Sequence, residues 1–341
     1  MKVVSIVGGA PGIYTWDGKF GFEKTEGDPE SVVYPGFVDI HIHGSMRQDF
    51  MSMTSPTEVE AWAKSLALLG YEYFYPTTIT SDAATLRRVI ENIPDHPMIP
   101  GFHLEGPFIS PEYPGAQPPQ YILNPADRGT EWDWILEHPK LKLITLAPER
   151  PGALELIREL TSRGVRVSMG HTNATYAEAD AAWEAGARHM THTFNAMRPF
   201  HHREAGVVGF GLTSRAYKEL IYDRKHVCKD SARTIAGGST LLGVSDATMA
   251  AGMPPNERFT MWGLDVVTGE DEVRLASNGS LAGSAVTLDV VFENLWEDFD
   301  LVVAAQACCV NPRQAMGLPE SPQVLLHLSL DGELLEVLNR S

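Results

Sequence analysis

The 341-residue sequence predicts a (β/α)₈ TIM-like barrel with a small β appendage, and three observations carry that prediction. Short β-branched or aromatic runs alternate with amphipathic runs from Val33 onward, the pattern of repeated βα units around a parallel sheet. Several of these runs close on a residue able to do chemistry: His41 and His43, Glu105, His171, His192 and Asp246. The length also suits one closed barrel of about 250 residues with a modest addition.

Eight strands are expected at 36–43, 71–77, 99–105, 141–147, 165–171, 189–195, 219–223 and 241–246, with helices such as 56–69 and 153–163 between them. Residues 35–318 form the catalytic barrel in this reading. Residues 1–34 and 319–341 form the appendage, with 324–338 pairing through a turn at Asp331-Gly332. The segment 263–283 reads as a long βα excursion after the eighth strand.

Composition narrows the function. The chain is 43% hydrophobic and 21% charged, which fits a compact enzyme rather than a disordered segment. A net charge of -17 without a compensating basic run argues against nucleic acid and anionic membranes as partners, so an anionic substrate needs a local cationic pocket. The amino-terminal run reads as a strand, not a signal peptide, and no apolar run reaches the ~18 residues of a membrane span. Cys228, Cys308 and Cys309 lack zinc-ribbon or CxxC spacing, so reduced, buried thiols and a cytoplasmic protein are expected.

His41-Ile42-His43 puts two imidazoles on one side of a strand, because side chains two apart share a face. Glu105 follows an apolar run, where an unpartnered carboxylate would be costly and a metal would supply the partner. His171 and His192 each close a strand. This imidazole and carboxylate mixture suits Zn²⁺, with Fe, Co or Mn as competitors. Asp246 is either a further ligand or the acid/base that exchanges a proton with activated water and a leaving amine.

The constellation resembles the N-acetylglucosamine-6-phosphate deacetylases of the amidohydrolase superfamily. The matching segments are PGFVDIHIHG (35–44), HLEGPFISPEYPGA (103–116), GHTNATYAEADAAWEAG (170–186), THTFNAM (191–197), REAGVVG (203–209), VSDATMAAGMP (244–254), GSLAGSAVTLD (279–289) and NPRQAMGL (311–318). The resemblance implies a barrel of the amidohydrolase type and one metal on Glu105, His171 and His192. It also implies a second ion on His41 and His43, with Asp246 as acid/base. Arg203 and His226 are implied as phosphate contacts, and Asn195-Ala196 as a further cradle. The implied partner is a small amino sugar phosphate, and the implied assembly a homodimer.

Gln117 stands where the family usually has His, so it can hold substrate by hydrogen bonds but cannot become cationic. Arg224 and Lys225 replace the middle of the family's Asp-Gly-hydrophobic-His run, and either reinforce an anion site or face solvent. The leading expectation is removal of the acetyl group from an N-acetylhexosamine 6-phosphate, foremost N-acetylglucosamine 6-phosphate. The alternatives are another N-acyl amide (N-acetylgalactosamine 6-phosphate, an unphosphorylated N-acetyl sugar or an N-acyl amino acid) and a non-catalytic sugar-phosphate sensor.

Overall fold

The computed structural model describes residues 1–6 and 11–340, so part of the amino-terminal run read as a strand, at 7–10, lies outside the described residues. Eight parallel strands form the barrel: β1 (Phe37–Ile42), β2 (Tyr71–Pro76), β3 (Phe102–Glu105), β4 (Leu141–Leu146), β5 (Arg166–Met169), β6 (His189–Met190), β7 (Tyr217–Ile221) and β8 (Leu241–Val244). Strands β3 to β8 make one continuous sheet, and β1 pairs with β2. Single bridges at Thr77↔His103 and Ile42↔Ala247 join the two pieces into a ring. Closure brings residues from the carboxyl ends of all eight strands to one mouth.

Helices cover the outside and bury one face against the strands. Pro56–Leu68 starts at Ser55, whose N–H donates to Glu58 (3.1 Å), and buries Val59, Trp62, Ala63 and Leu66 at helical spacing. Tyr176–Ala185 starts with a reciprocal pair, Thr175 N–H to the Glu178 carboxylate (2.8 Å) and Glu178 N–H to the Thr175 hydroxyl (3.3 Å). Two expectations differ from the structure. The segment 263–283 is not a βα excursion; Arg258–Met261, Leu264–Thr268, Glu272–Leu275 and Leu281–Ser284 form an antiparallel sheet over the mouth. Cys308 and Cys309 are buried, but Cys228 is exposed at the start of helix Lys229–Ala236.

At the other end of the molecule, six strands from the two ends of the chain form one sheet, with Ser31–Pro35 between Val324–Leu328 and Lys2–Ser5. Val324–Leu328 pairs antiparallel with Leu334–Asn339. Glu72 at the base of β2 ties this sheet to the barrel. Its carboxylate accepts from Arg313 (2.8 and 3.1 Å) and from the backbone N–H groups of Gln323 (2.9 Å) and Val324 (3.3 Å). Both side chains of the pair are buried, so removing one leaves an uncompensated charge in a dry site. Glu72→Ala is expected to lower the unfolding free energy by about 3–5 kcal/mol. Denaturant unfolding checks this; a loss under about 1 kcal/mol would mean that Arg313 finds water or another partner.

Candidate metal centre

Each candidate ligand reaches the mouth by one of two backbone routes. His41 lies inside β1, His43 just past it, and Glu105 is the last residue of β3. His171, His192 and Asp246 each stand two residues beyond the ends of β5, β6 and β8, at left-handed backbone angles (φ 47°, 29° and 47°). The strands therefore stop earlier than the sequence pattern suggests. Non-glycine residues pay about 1–3 kcal/mol for such angles, and the barrel holds them there at the three positions that turn a polar side chain into the mouth.

The donor atoms converge. Nε2 of His171 lies 3.1 Å from Nε2 of His192, and these lie 3.1 and 3.3 Å from Oε1 of Glu105. On the other side, Nε2 of His41 and His43 are 3.2 Å apart. His41 Nε2 is 3.4 Å from Glu105 Oε1, and His43 Nε2 is 3.4 Å from Glu105 Oε2. Asp246 Oδ1 lies beside this second group, 3.3 Å from His41 Nε2 and 3.1 Å from His43 Nε2. Bonds of about 2.0–2.1 Å to a tetrahedral ion place neighbouring donors about 3.3–3.4 Å apart, so both groups, Glu105 with His171 and His192 and Glu105 with His41 and His43, have the spacing a small divalent ion requires. Each group offers three donors.

Ring orientation supports the same reading. His41 Nδ1 faces Glu219 Oε2 (3.0 Å), His43 Nδ1 the carbonyl of Thr77 (3.1 Å) and His171 Nδ1 the carbonyl of Tyr113 (2.9 Å). Acceptors at Nδ1 fix the proton there and leave the Nε2 lone pairs for a cation. Electrostatics follow from this crowding. Burial pushes the Glu105 carboxyl up, but His41, His171 and His192 outweigh it and hold it well below the usual range. Asp246, also buried, is held below its ordinary value by His41 and His43. His41 moves well above its ordinary value; burial opposes this, and Glu105 and Asp246 overcome it. Burial and the charge on His41 keep His103 neutral, with its Nε2 2.7 Å from the Thr145 hydroxyl.

A cavity of about 220 Å³ opens above these donors. Of the other residues singled out in the sequence, Gln117, Asn195, Ala196 and His226 line it; Arg203 does not. Arg203 is exposed on a loop with His201 and His202, its guanidinium 3.0 Å from His202 Nε2. His226 Nδ1 is 2.6 Å from Asp223 Oδ2. Burial lowers its pKa, but Asp223 more than reverses this and favours the cation. Arg224 turns away, to Asp298 (2.7 Å) and Glu297 (2.8 Å) on an outer helix. Gln117 is committed at both ends of its amide. Its Nε2 donates to Glu105 Oε2 (2.6 Å), and its Oε1 accepts the Thr80 N–H (2.7 Å). Sequence reasoning missed Trp262, Leu281 and Gly283, which the antiparallel sheet supplies to the wall. It also missed Glu219, which carries no sequence signal beyond being an acid in an apolar strand.

The barrel with a metal-ready mouth defines a metal-dependent hydrolase, and the amidohydrolase family model matches residues 32–321. The chain belongs to that family and, within it, to the N-acetylglucosamine-6-phosphate deacetylases. It is 37% identical over 287 residues to the N-acetylglucosamine-6-phosphate deacetylase of Lysinibacillus sphaericus, covering 81% of this chain and 73% of that one. It is 35% identical over 283 residues to the N-acetylgalactosamine-6-phosphate deacetylase of Escherichia coli O157:H7, covering 80% of this chain and 74% of that one. A deacetylase from Mycobacterium smegmatis, solved as a variant with N-acetyl-D-glucosamine-6-phosphate, superposes with a TM-score of 0.86 at 29% identity, covering 99% of this chain and 97% of that one.

Acidification should empty this centre. Because His41 is protonated at a higher pH than an ordinary imidazole, protons compete for its Nε2 early as pH falls. Asp246 stays ionised well below that point. The acid limb of kcat/KM is thus expected to move to lower pH as free metal is raised. A limb indifferent to metal concentration would assign it to a carboxylate instead.

Proposed function

We propose that this chain removes the acetyl group from an N-acetylhexosamine 6-phosphate, foremost N-acetylglucosamine 6-phosphate, releasing acetate and the amino sugar phosphate. The observation that carries the reading is the pairing, in one cavity, of a three-donor corner (Glu105, His171, His192) with the ionised carboxylate of Asp246. The donor set suits Zn²⁺ best, on two positions per chain, with Fe, Co or Mn as substitutes. A divalent ion at the three-donor corner supplies polarisation of the acetyl carbonyl and lowers the pKa of water toward ~7.

Asp246 then does the proton work: it accepts the proton of the attacking water and later delivers it to the departing nitrogen. Gln117 cannot become cationic, so it contributes by holding Glu105 in place and by lining the acetyl side of the cavity. His226, held toward its charged form by Asp223, and the backbone at Asn195-Ala196 receive the phosphate. Arg203 lies outside the cavity of its own chain. It takes part only if a second copy brings it there, which is the role the homodimer would have.

The relatives include deacetylases of both N-acetylglucosamine and N-acetylgalactosamine 6-phosphates, so the sugar must be settled by assay. Acetate release from metal-replete protein, compared across both phosphorylated sugars and their unphosphorylated forms, is expected to favour a phosphorylated one by orders of magnitude. Preference for an unphosphorylated compound would overturn the phosphate roles. Asp246→Asn is expected to lower kcat by about 10²–10⁴-fold. The ion on Glu105, His171 and His192 should remain bound, as read by metal analysis. Near wild-type turnover would remove Asp246 from the chemistry.

A further inference from the structure

One buried carboxylate has no part in the reaction described so far. Glu219 lies in β7, fully buried, and points its Oε2 at two donors from different strands: Nδ1 of His41 (3.0 Å) and the backbone N–H of His192 (3.1 Å). Its Oε1 has no hydrogen-bond partner among the described residues. A carboxylate merely filling core space would be expensive here, since burying an ionised group that is only half satisfied is unfavourable. Its location explains its presence. His41 belongs to one three-donor group and His192 to the other, so a single oxygen of Glu219 touches both halves of the centre.

The other oriented rings differ. His43 and His171 give their Nδ1 protons to neutral backbone carbonyls, of Thr77 and Tyr113. Only His41, of these three, gives its proton to a side-chain carboxylate. An ionised acceptor fixes the ring and makes its far nitrogen more basic, and partners of this kind affect metal affinity by about 10–100-fold.

We infer that Glu219 is a positioning residue that makes His41 a strong ligand and thereby sets the occupancy of the second ion, at His41, His43 and Glu105. The inference rests on the two-ion reading of the proposed function. Removing the charge on Glu219 weakens the His41 and His43 position and spares the Glu105, His171 and His192 position. Glu219→Gln keeps the shape and an acceptor oxygen for the His192 N–H, so it tests charge with the turn intact; Glu219→Ala removes both.

The experiment is titration of chelator-stripped protein with Co²⁺, reading stoichiometry and affinity by calorimetry and ligand-field absorption, with thermal melting as a check of folding. Wild type is expected to take two equivalents. Glu219→Gln should lose about tenfold in affinity for one equivalent and keep the other unchanged, and Glu219→Ala should lose up to about a hundredfold for that same equivalent with a smaller loss at the other. The ¹⁵N shifts of the His41 ring should report a proton held at Nδ1 in wild type and a mixture of tautomers in Glu219→Ala. Two unchanged equivalents in both folded variants would overturn the role of Glu219, as would equal weakening of both ions, the mark of a purely structural residue. A single equivalent in wild type would instead defeat the two-ion reading itself, before any variant is compared.

Discussion

The buried carboxylate of Glu105 is the constraint around which the mouth of the barrel is organised. Its Oε1 meets His171, His192 and His41, and its Oε2 meets Gln117 and His43. A group so enclosed can stay ionised only if cations surround it. The neighbouring structure serves that end. Gly106 leaves β3 at φ 71°, where an added Cβ would fall 2.0 Å from the Thr80 hydroxyl, so the chain can turn away from Glu105 only without a side chain. Thr80 in turn lends its N–H to Gln117, which clamps Glu105. Sequence, turn and clamp thus all follow from the need to hold one carboxylate between two ligand groups.

That arrangement also resolves the conflict between a strongly acidic chain and an anionic substrate. In the proposed reading the cationic character of the mouth is local, from an ion at the donor groups and from His226 at its wall, and needs no basic surface. Among the described residues no helix is long and apolar enough to cross a membrane. Arg224, which sequence left undecided, is spent on Asp298 and Glu297, and so adds nothing to the cavity.

Much of the centre was legible in sequence because barrel topology gives a rule: a His or an acid at the carboxyl end of a strand belongs to the mouth. His41, His43, Glu105, His171, His192 and Asp246 obey it, and the structure brings all six together. What sequence could not show has physical causes. Strand ends at Met169, Met190 and Val244 are set by left-handed turns at the next ligand, which hydropathy does not encode. Glu219 sits between Lys218 and Leu220 like any strand residue, and only closure of the ring puts it beside His41. The sheet Arg258–Ser284 alternates too weakly to be told from a helical excursion, so Trp262, Leu281 and Gly283 went unseen as walls. Arg203 is implied by motif alone, and a motif does not fix where in the fold its side chain points.

Asp246 shows how the two ligand groups constrain each other. Its Oδ1 is within 3.1–3.3 Å of the imidazoles of His41 and His43. Its Oδ2 lies on the side of Gly283, whose missing side chain leaves room in the cavity wall; a Cβ there would stand 3.9 Å from that oxygen. One oxygen is therefore suited to hold an ion and the other to meet substrate and water. A positive charge at Oδ1 favours the ionised carboxylate and so weakens it as a base at Oδ2. An ion at the first-strand group would keep Asp246 ionised over a wider pH range, at some loss of proton affinity. Leaving it empty has the opposite effect. A carboxylate that accepts a proton from activated water and must then release it to an amine works best between these extremes. The strength of His41 as a ligand, and with it whatever tunes that ring, therefore bears on the chemistry at the other group without touching substrate.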